Sequence, residues 1–276
     1  MIVERLELTL AHLPEDFEGL RVAVLSDLHA GALRQGSRHV LQAVELTQSL
    51  DPELILLLGD TFDRPAHAAQ YLELLRGLSA PLGVWTCLGN HEHGIVWYTR
   101  LLRRPWPGSS VAEWRERFGQ LGIGVLVNEA VCIEAKGARL WLAGVDDAYS
   151  GHDDLAATLQ GIGPNECVVG MTHSPDVVDD PLSARLDLLL AGHTHGGQIH
   201  WPFLGPLWAP CRRPRERCSG LKQANGTRLY VTRGTGDSFP LRMACPRELT
   251  LLLLKGGAAQ DTDCGGKDVP CGEGQT

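Results

Sequence analysis

Five places along the chain set metal-binding side-chain types directly after a short apolar run. They read Ser26-Asp27-Leu28-His29, Gly59-Asp60-Thr61-Phe62-Asp63, Gly89-Asn90-His91-Glu92, Thr172-His173-Ser174-Pro175 and Gly192-His193-Thr194-His195-Gly196-Gly197. Singly, each is weak. Asp60 after a strand could cap the next helix, and a lone His is more often a hydrogen-bonded structural residue. Together they are an odd coincidence for capping alone. Mixed carboxylate and imidazole ligands suit Mn, Fe or Zn, and the set holds no thiolate, which disfavours a soft-metal or iron–sulfur site. Seven such ligands are enough for two ions that share one bridge. Two ligand carboxylates, Asp27 and Asp60, against two divalent cations leave about two positive charges, the surplus that binding a phosphate ester requires. Paired ions roughly 3.5–4 Å apart hold the oxygens of a displacement and activate water near neutral pH.

The elements that must position these residues are legible as periodicity. Short apolar runs lie at 21–25, 54–58, 83–88, 124–127, 139–143, 167–171, 186–191, 229–232 and 249–254. Most are continuously apolar, as in strands buried on both faces. Stretches 37–50, 66–78 and 111–121 carry helical spacing. This alternation predicts an α/β fold with helices packed on the sheet, and open α/β sheets bind ligands at the carboxyl ends of their strands. The segment 124–143, with a turn at Lys136-Gly137, reads as a hairpin. We expect one domain over residues 1–255 and a Gly-rich mobile tail over 256–276, which has almost no large apolar side chain.

Composition sets outer limits. With 43% hydrophobic and 21% charged residues over 276 positions, the chain is an ordinary globular one. A net charge of -8 argues against a stable nucleic-acid partner. The eight cysteines lack closely spaced CxxC pairs, so structural zinc is not expected. Cys87, Cys132 and Cys167 read as buried thiols, and the pairs Cys211/Cys218 and Cys264/Cys271 have no assigned role. The first ten residues alternate in polarity, and no apolar run approaches the roughly 18–20 residues of a membrane span. A cytoplasmic location is the expectation.

In these five blocks the sequence resembles the calcineurin-like metallophosphoesterase superfamily, over about residues 21–255. The resemblance implies a four-layer α/β/β/α sandwich of two mixed β-sheets flanked by helices. It implies that Asp27, His29 and His195 bind one metal, that Asn90, His173 and His193 bind the other, and that Asp60 bridges both. His91 would stabilise the transition state or protonate the leaving oxygen, and Asp63 would orient it. Both ions would be divalent: Mn first, with Fe, Zn or Mg as alternatives. The run His193-Thr-His-Gly-Gly-Gln198, then Gly205-Pro206, Ser219-Gly220-Leu221 and Val231-Thr-Arg-Gly-Thr-Gly236, is similar to the YkuE-like bacterial branch. That similarity implies a phosphodiesterase or pyrophosphatase using metal-activated hydroxide. One such substrate is UDP-2,3-diacylglucosamine, a nucleotide-linked lipid of lipid A synthesis.

Two regions bear on the substrate. Trp201, Phe203, Leu207 and Trp208 precede Arg212, Arg213, Arg215 and Arg217. Aromatics beside arginines suit a lipid–headgroup boundary and peripheral contact with the inner face of the membrane. The competing reading is a Pro-rich loop packed on the sheet with solvated arginines. Residues 97–106 read as a lid or a plain surface helix, and Arg242 as a phosphate contact or a plain surface arginine. Trp208, Arg212, Arg213 and Arg242 are therefore the candidate substrate contacts. The alternatives are a protein serine/threonine phosphatase, a nuclease or nucleotide phosphodiesterase and, from a different class, a non-catalytic scaffold of the same fold.

Overall fold

The computed structural model describes residues 1–32, 36–201, 205–206, 209–237 and 241–257. Trp208, Phe203, Leu207 and the tail beyond Gly257 lie outside the described residues.

In chain order the strands begin with β1 (Ile2–Leu10), β2 (Leu20–Leu25), β3 (Leu54–Leu58), β4 (Val84–Cys87) and β5 (Ile123–Val125). They continue with β6 (Glu129–Ala135), β7 (Ala138–Gly144), β8 (Val168–Met171) and β9 (Leu188–Ala191). The last are β10 (His200–Trp201), β11 (Gly205–Pro206), β12 (Gly220–Ala224), β13 (Thr227–Val231) and β14 (Glu248–Gly256). The longer helices are α1 (Gly36–Ser49) and α2 (Val111–Gly119). One sheet runs β1-β14-β2-β3-β4-β5 and the other β12-β13-β9-β8-β7-β6. Both are mixed. The first is parallel except where β14 meets β2, and the second has antiparallel pairs at both edges.

Side-chain alternation along the strands builds the layers. Val22, Val24, Leu54, Leu56 and Leu58 point between the sheets, where they meet Leu142, Val169, Leu188 and Leu190. Their neighbours Ala23, Leu25, Ile55 and Leu57 point outward against Val40, Val44, Trp114 and Phe118 of the helices. The second sheet repeats the pattern, with Leu189, Ala191 and Val231 packed outward on Leu155, Leu159 and Val178. These three cores separate four layers, and the α/β/β/α sandwich is the fold. Strands buried on both faces explain the continuously apolar runs.

Two local expectations are corrected. Run 124–127 does not pair with 139–143. It forms β5 on the first sheet, and the chain then crosses to the second sheet, where β6 and β7 make the hairpin. Lys136 (φ 52°) and Gly137 (φ 93°) occupy its two-residue turn, with φ positive at both as the right-handed twist requires. Stretch 66–78 is broken into 3₁₀ turns and a single α turn, with Tyr71 at φ -112°, ψ -9° where the α turn gives way to the next 3₁₀ turn. Residues 2–10 form a strand at the edge of the first sheet, and their alternating polarity reflects one solvated face.

Candidate metal centre

The carboxyl ends of β2, β3 and β4, neighbours in one sheet, face those of β8 and β9, neighbours in the other. Each strand hands its next residues to one site. Asp27 and His29 follow β2, Asp60 follows β3, Asn90 and His91 follow β4, His173 follows β8, and His193 and His195 follow β9. The loops are stitched to one another: the Asp27 amide donates to the Gly59 carbonyl at 3.1 Å, and the His29 amide to the Asp60 carbonyl at 3.0 Å. Two glycines permit the close approach. A Cβ at Gly89 would lie 2.2 Å from Asp60 Oδ1, and one at Gly192 would lie 1.9 Å from Ser26 Oγ.

Two groups of ligand atoms result. In the first, His29 Nε2 lies 3.0 Å from His195 Nε2, and Asp27 Oδ1 lies 3.4 Å from His195 Nε2 and 4.0 Å from His29 Nε2. In the second, His173 Nε2 lies 3.0 Å from His193 Nδ1 and 3.2 Å from Asp60 Oδ2. Asp60 Oδ2 also lies 3.8 Å from His29 Nε2, so one carboxylate oxygen faces both groups. Ligands about 2.1 Å from one ion at ordinary angles stand about 3.0–3.4 Å apart; the His29–His195, Asp27–His195, His173–His193 and His173–Asp60 separations fall in that range, and the two carboxylate separations from His29 are wider.

Hydrogen bonding aims the free lone pairs into the site. Asp27 Oδ2 accepts from Ser26 Oγ at 2.5 Å and from the His193 amide at 3.1 Å, while Oδ1 is buried without a partner. Asn90 Nδ2 donates to the Ile95 carbonyl at 2.6 Å, while its Oδ1 is buried without a partner. His173 Nδ1 donates to the Leu58 carbonyl at 2.7 Å, which leaves the Nε2 lone pair inward. A buried polar atom without a partner is expensive, and several converging on one place fit divalent cations.

Charge is arranged to match. Burial and the surrounding imidazoles hold His29 and His193 well below the ordinary histidine range, and thus neutral and ready to ligate. Burial opposes charge on His173, yet the Asp60 carboxylate outweighs it and raises His173. A cation held there would take the place of that proton. Glu92, whose role is not apparent in the sequence, accepts from the amides of Asp60 (2.8 Å), Thr61 (2.9 Å) and Gly89 (2.9 Å). Burial and the Asp60 charge push its carboxyl up to about 7, against the amide from Gly89. Glu92 thereby fixes the turn that carries Asp60.

His91 stands beside both groups, with Nε2 3.8 Å from Asp60 Oδ2 and its ring edge-on to His29. Its Nδ1 donates to the main-chain carbonyl of Asp63 at 2.6 Å, so Asp63 orients His91 through backbone and not through its carboxylate. That carboxylate faces Arg64 at 3.6 Å and His67 at 4.0 Å. A cavity of about 480 Å³ opens over the site, walled by Asp60, Asn90, His91, Tyr98, Trp106 and Tyr149 among others. Arg212 and Arg213 are not among its lining. Arg212 meets Asp179 at 3.6 Å and Arg213 meets Glu216 at 3.3 Å. Arg217 is buried against Asp179 at 2.7 Å, which removes it from any free basic surface. Arg242 sits behind His195, bonded to Asp237 at 2.5 Å and to the Gly236 carbonyl at 2.6 Å, with one nitrogen 3.3 Å from His195 Nδ1.

Residues 20–197 match the model of the calcineurin-like phosphoesterases. The chain belongs to that family. It is 31% identical over 249 residues to the uncharacterized metallophosphoesterase YkuE of Bacillus subtilis, covering 88% of this chain and 82% of that one. Identity to phosphodiesterase YaeI of Escherichia coli is 29% over 247 residues, covering 89% and 86%. A bovine transmembrane protein with a metallophosphoesterase domain is 32% identical over 271 residues, and this chain spans 57% of its length. The chain is thus a metallophosphoesterase of the YkuE-like kind, a hydrolase of phosphoric ester bonds, in a family that uses two divalent metals. Among the described residues no helix is long and apolar enough to cross a membrane.

Proposed function

We propose that the protein hydrolyses a phosphodiester or pyrophosphate, and that Asp27, His29 and His195 hold one divalent ion, Asn90, His173 and His193 a second, with Asp60 shared. The supporting observation is the pair of ligand-atom groups joined through Asp60 Oδ2 and opening into one cavity. Bound there, two divalent ions supply charge to polarise the phosphoryl group and acidify water. His91 works beside them. With Nδ1 committed to the Asp63 carbonyl, its Nε2 is the atom free to pass a proton to the departing oxygen. The cavity favours a diester over a simple phosphate. Val96, Tyr98, Trp106, Tyr149 and Ile199 form an apolar and aromatic wall, and Arg64 is the one Lys or Arg among its described lining residues. A second, apolar or aromatic substituent of the phosphate would lie against that wall. The name of the E. coli relative, a phosphodiesterase, supports the same bond type. UDP-2,3-diacylglucosamine is the specific substrate we infer, with manganese as the first ion to try.

The test uses metal-stripped protein with and without Mn²⁺. Manganese-dependent cleavage of bis(p-nitrophenyl) phosphate is expected, with UMP released from UDP-2,3-diacylglucosamine. Cleavage of the aryl diester without UMP release discards the lipid substrate and keeps the reaction. Failure on every diester and pyrophosphate discards the reaction. His91→Ala is expected to keep its metal and lose roughly 10²–10⁴-fold in turnover.

A further inference from the structure

A second constellation of metal-ligating side chains lies beside the dinuclear site and takes no part in it. His93, Asp146 and His152 each bring one ligand atom within 4.8 Å of the others. His93 Nε2 lies 2.8 Å from Asp146 Oδ1, and the rings of His93 and His152 stand 4.3 Å apart, tilted by 52°. Asp146 is buried and His152 is exposed, so the group opens to solvent on one side.

Main-chain bonds hold the three in place. Asn128 Oδ1 accepts from the amides of Asp146 and Asp154, both at 3.0 Å, and its Nδ2 donates to the His152 carbonyl at 2.7 Å. The His152 amide donates to the Asp147 carbonyl at 3.1 Å, and the His93 amide to the Gly89 carbonyl at 3.3 Å. One asparagine therefore shapes the whole loop that presents Asp146 and His152 to His93. The local field favours cations: burial opposes charge on His93, but Asp146, Asp147 and Glu92 together raise it. Two imidazole nitrogens and one carboxylate oxygen converge there, and a single divalent ion uses all three ligands.

We propose that His93, Asp146 and His152 form a third metal site, which takes a zinc-class divalent ion through two imidazole nitrogens and one carboxylate. Two imidazoles and one carboxylate suit Zn²⁺, with the exposed side left to water. Ligands on one ion stand about 3.0–3.4 Å apart, and rotation of the exposed His152 side chain closes the remaining gap. Such an ion would fasten the turn after β4, which carries Asn90 and His91, to the loop after β7.

Equilibrium dialysis against Zn²⁺, followed by elemental analysis, tests this. His152→Ala and His93→Ala are each expected to hold one zinc fewer per chain than wild type. His12→Ala, which removes an exposed histidine elsewhere, is expected to match wild type. The one-ion difference should persist when His152→Ala is added to Asp60→Ala, where the dinuclear centre is already disabled. That background separates failure here from failure of the hydrolytic reading. An unchanged zinc count in either His93→Ala or His152→Ala, or a loss in His12→Ala, overturns the third site.

Discussion

Five of the residues assigned to metal ions have left-handed backbone: Asp27 (φ 54°), His29 (φ 43°), Asp60 (φ 49°), His193 (φ 68°) and His195 (φ 51°). A side chain there costs roughly 1–2 kcal/mol, and such residues gather at active sites because the surroundings over-determine them. The strain follows from geometry. A parallel strand ends pointing away from its neighbours, and a left-handed residue turns the chain at once, so the ligand lies over the strand end. This gives a stability prediction separable from metal loss. His29→Ala and His29→Gly both lose the same ligand, yet in chelator the Gly variant should be about 1 kcal/mol more stable than the Ala variant, read by urea denaturation. Equal stabilities would mean that His29 is not strained. The chemistry of these residues is legible in sequence because the residue types suffice to suggest metal. Their conformation is not, since Asp and His adopt ordinary backbone elsewhere in the chain. Glu92 and Ser26 were equally hidden: their work is to accept from main-chain amides or to hold one carboxylate oxygen, and neither leaves a pattern in the sequence.

At the scale of elements, the site is an abutment of strand ends, and its tolerance is set by how closely those ends touch. A Cβ at Gly89 would stand 2.6 Å from the Asp60 amide nitrogen and 2.2 Å from Asp60 Oδ1. Since Oδ1 also accepts from the His91 amide at 2.9 Å, moving it disturbs the shared ligand and the turn after β4 together. Gly89→Ala should therefore fold, because both sheets are intact, but bind less metal and lose at least about 10-fold in diester turnover, as outer-shell changes do. Metal content by elemental analysis beside a thermal melt checks both halves. Wild-type metal content in Gly89→Ala would show that the abutment has slack. Strands buried on both faces were the easiest elements to read, because continuous apolar runs have few other uses. The strands at the sheet edges were harder. β1 and β6 keep one face in solvent and carry charge, so neither stands out as a continuous apolar run. Pairing is set by which sheet a strand joins, and nothing local in β5 says that it belongs with β4 and not with β7.

At the scale of the molecule, the two sheets are joined near the site by a buried polar seam. Tyr230 of β13 donates to Glu248 Oε1 of β14 at 2.6 Å, and Arg233 pairs with Glu248 and, at 3.0 Å, with Glu4 of β1. Arg233, opaque in the sequence, is thus a cross-sheet tie. Next to it, Asp237 follows β13 and holds Arg242, which backs His195, together with Arg247, which leads into β14. Burial alone would raise the Asp237 carboxyl, but its hydrogen bonds to Arg247 and Arg242 and their charges bring it below the usual carboxylate value. A carboxyl lowered by folding contributes stability that is fully present above its unfolded pKa of about 3.9 and is lost as pH falls through the folded value. Asp237→Asn has no such titration. With chelator present, wild type should be the more stable protein at pH 7. Its advantage over Asp237→Asn should shrink as pH falls from about 5 toward 3, read by urea denaturation at fixed ionic strength. A gap that stays constant across that range would mean that Asp237 is held by packing and not by its two arginines.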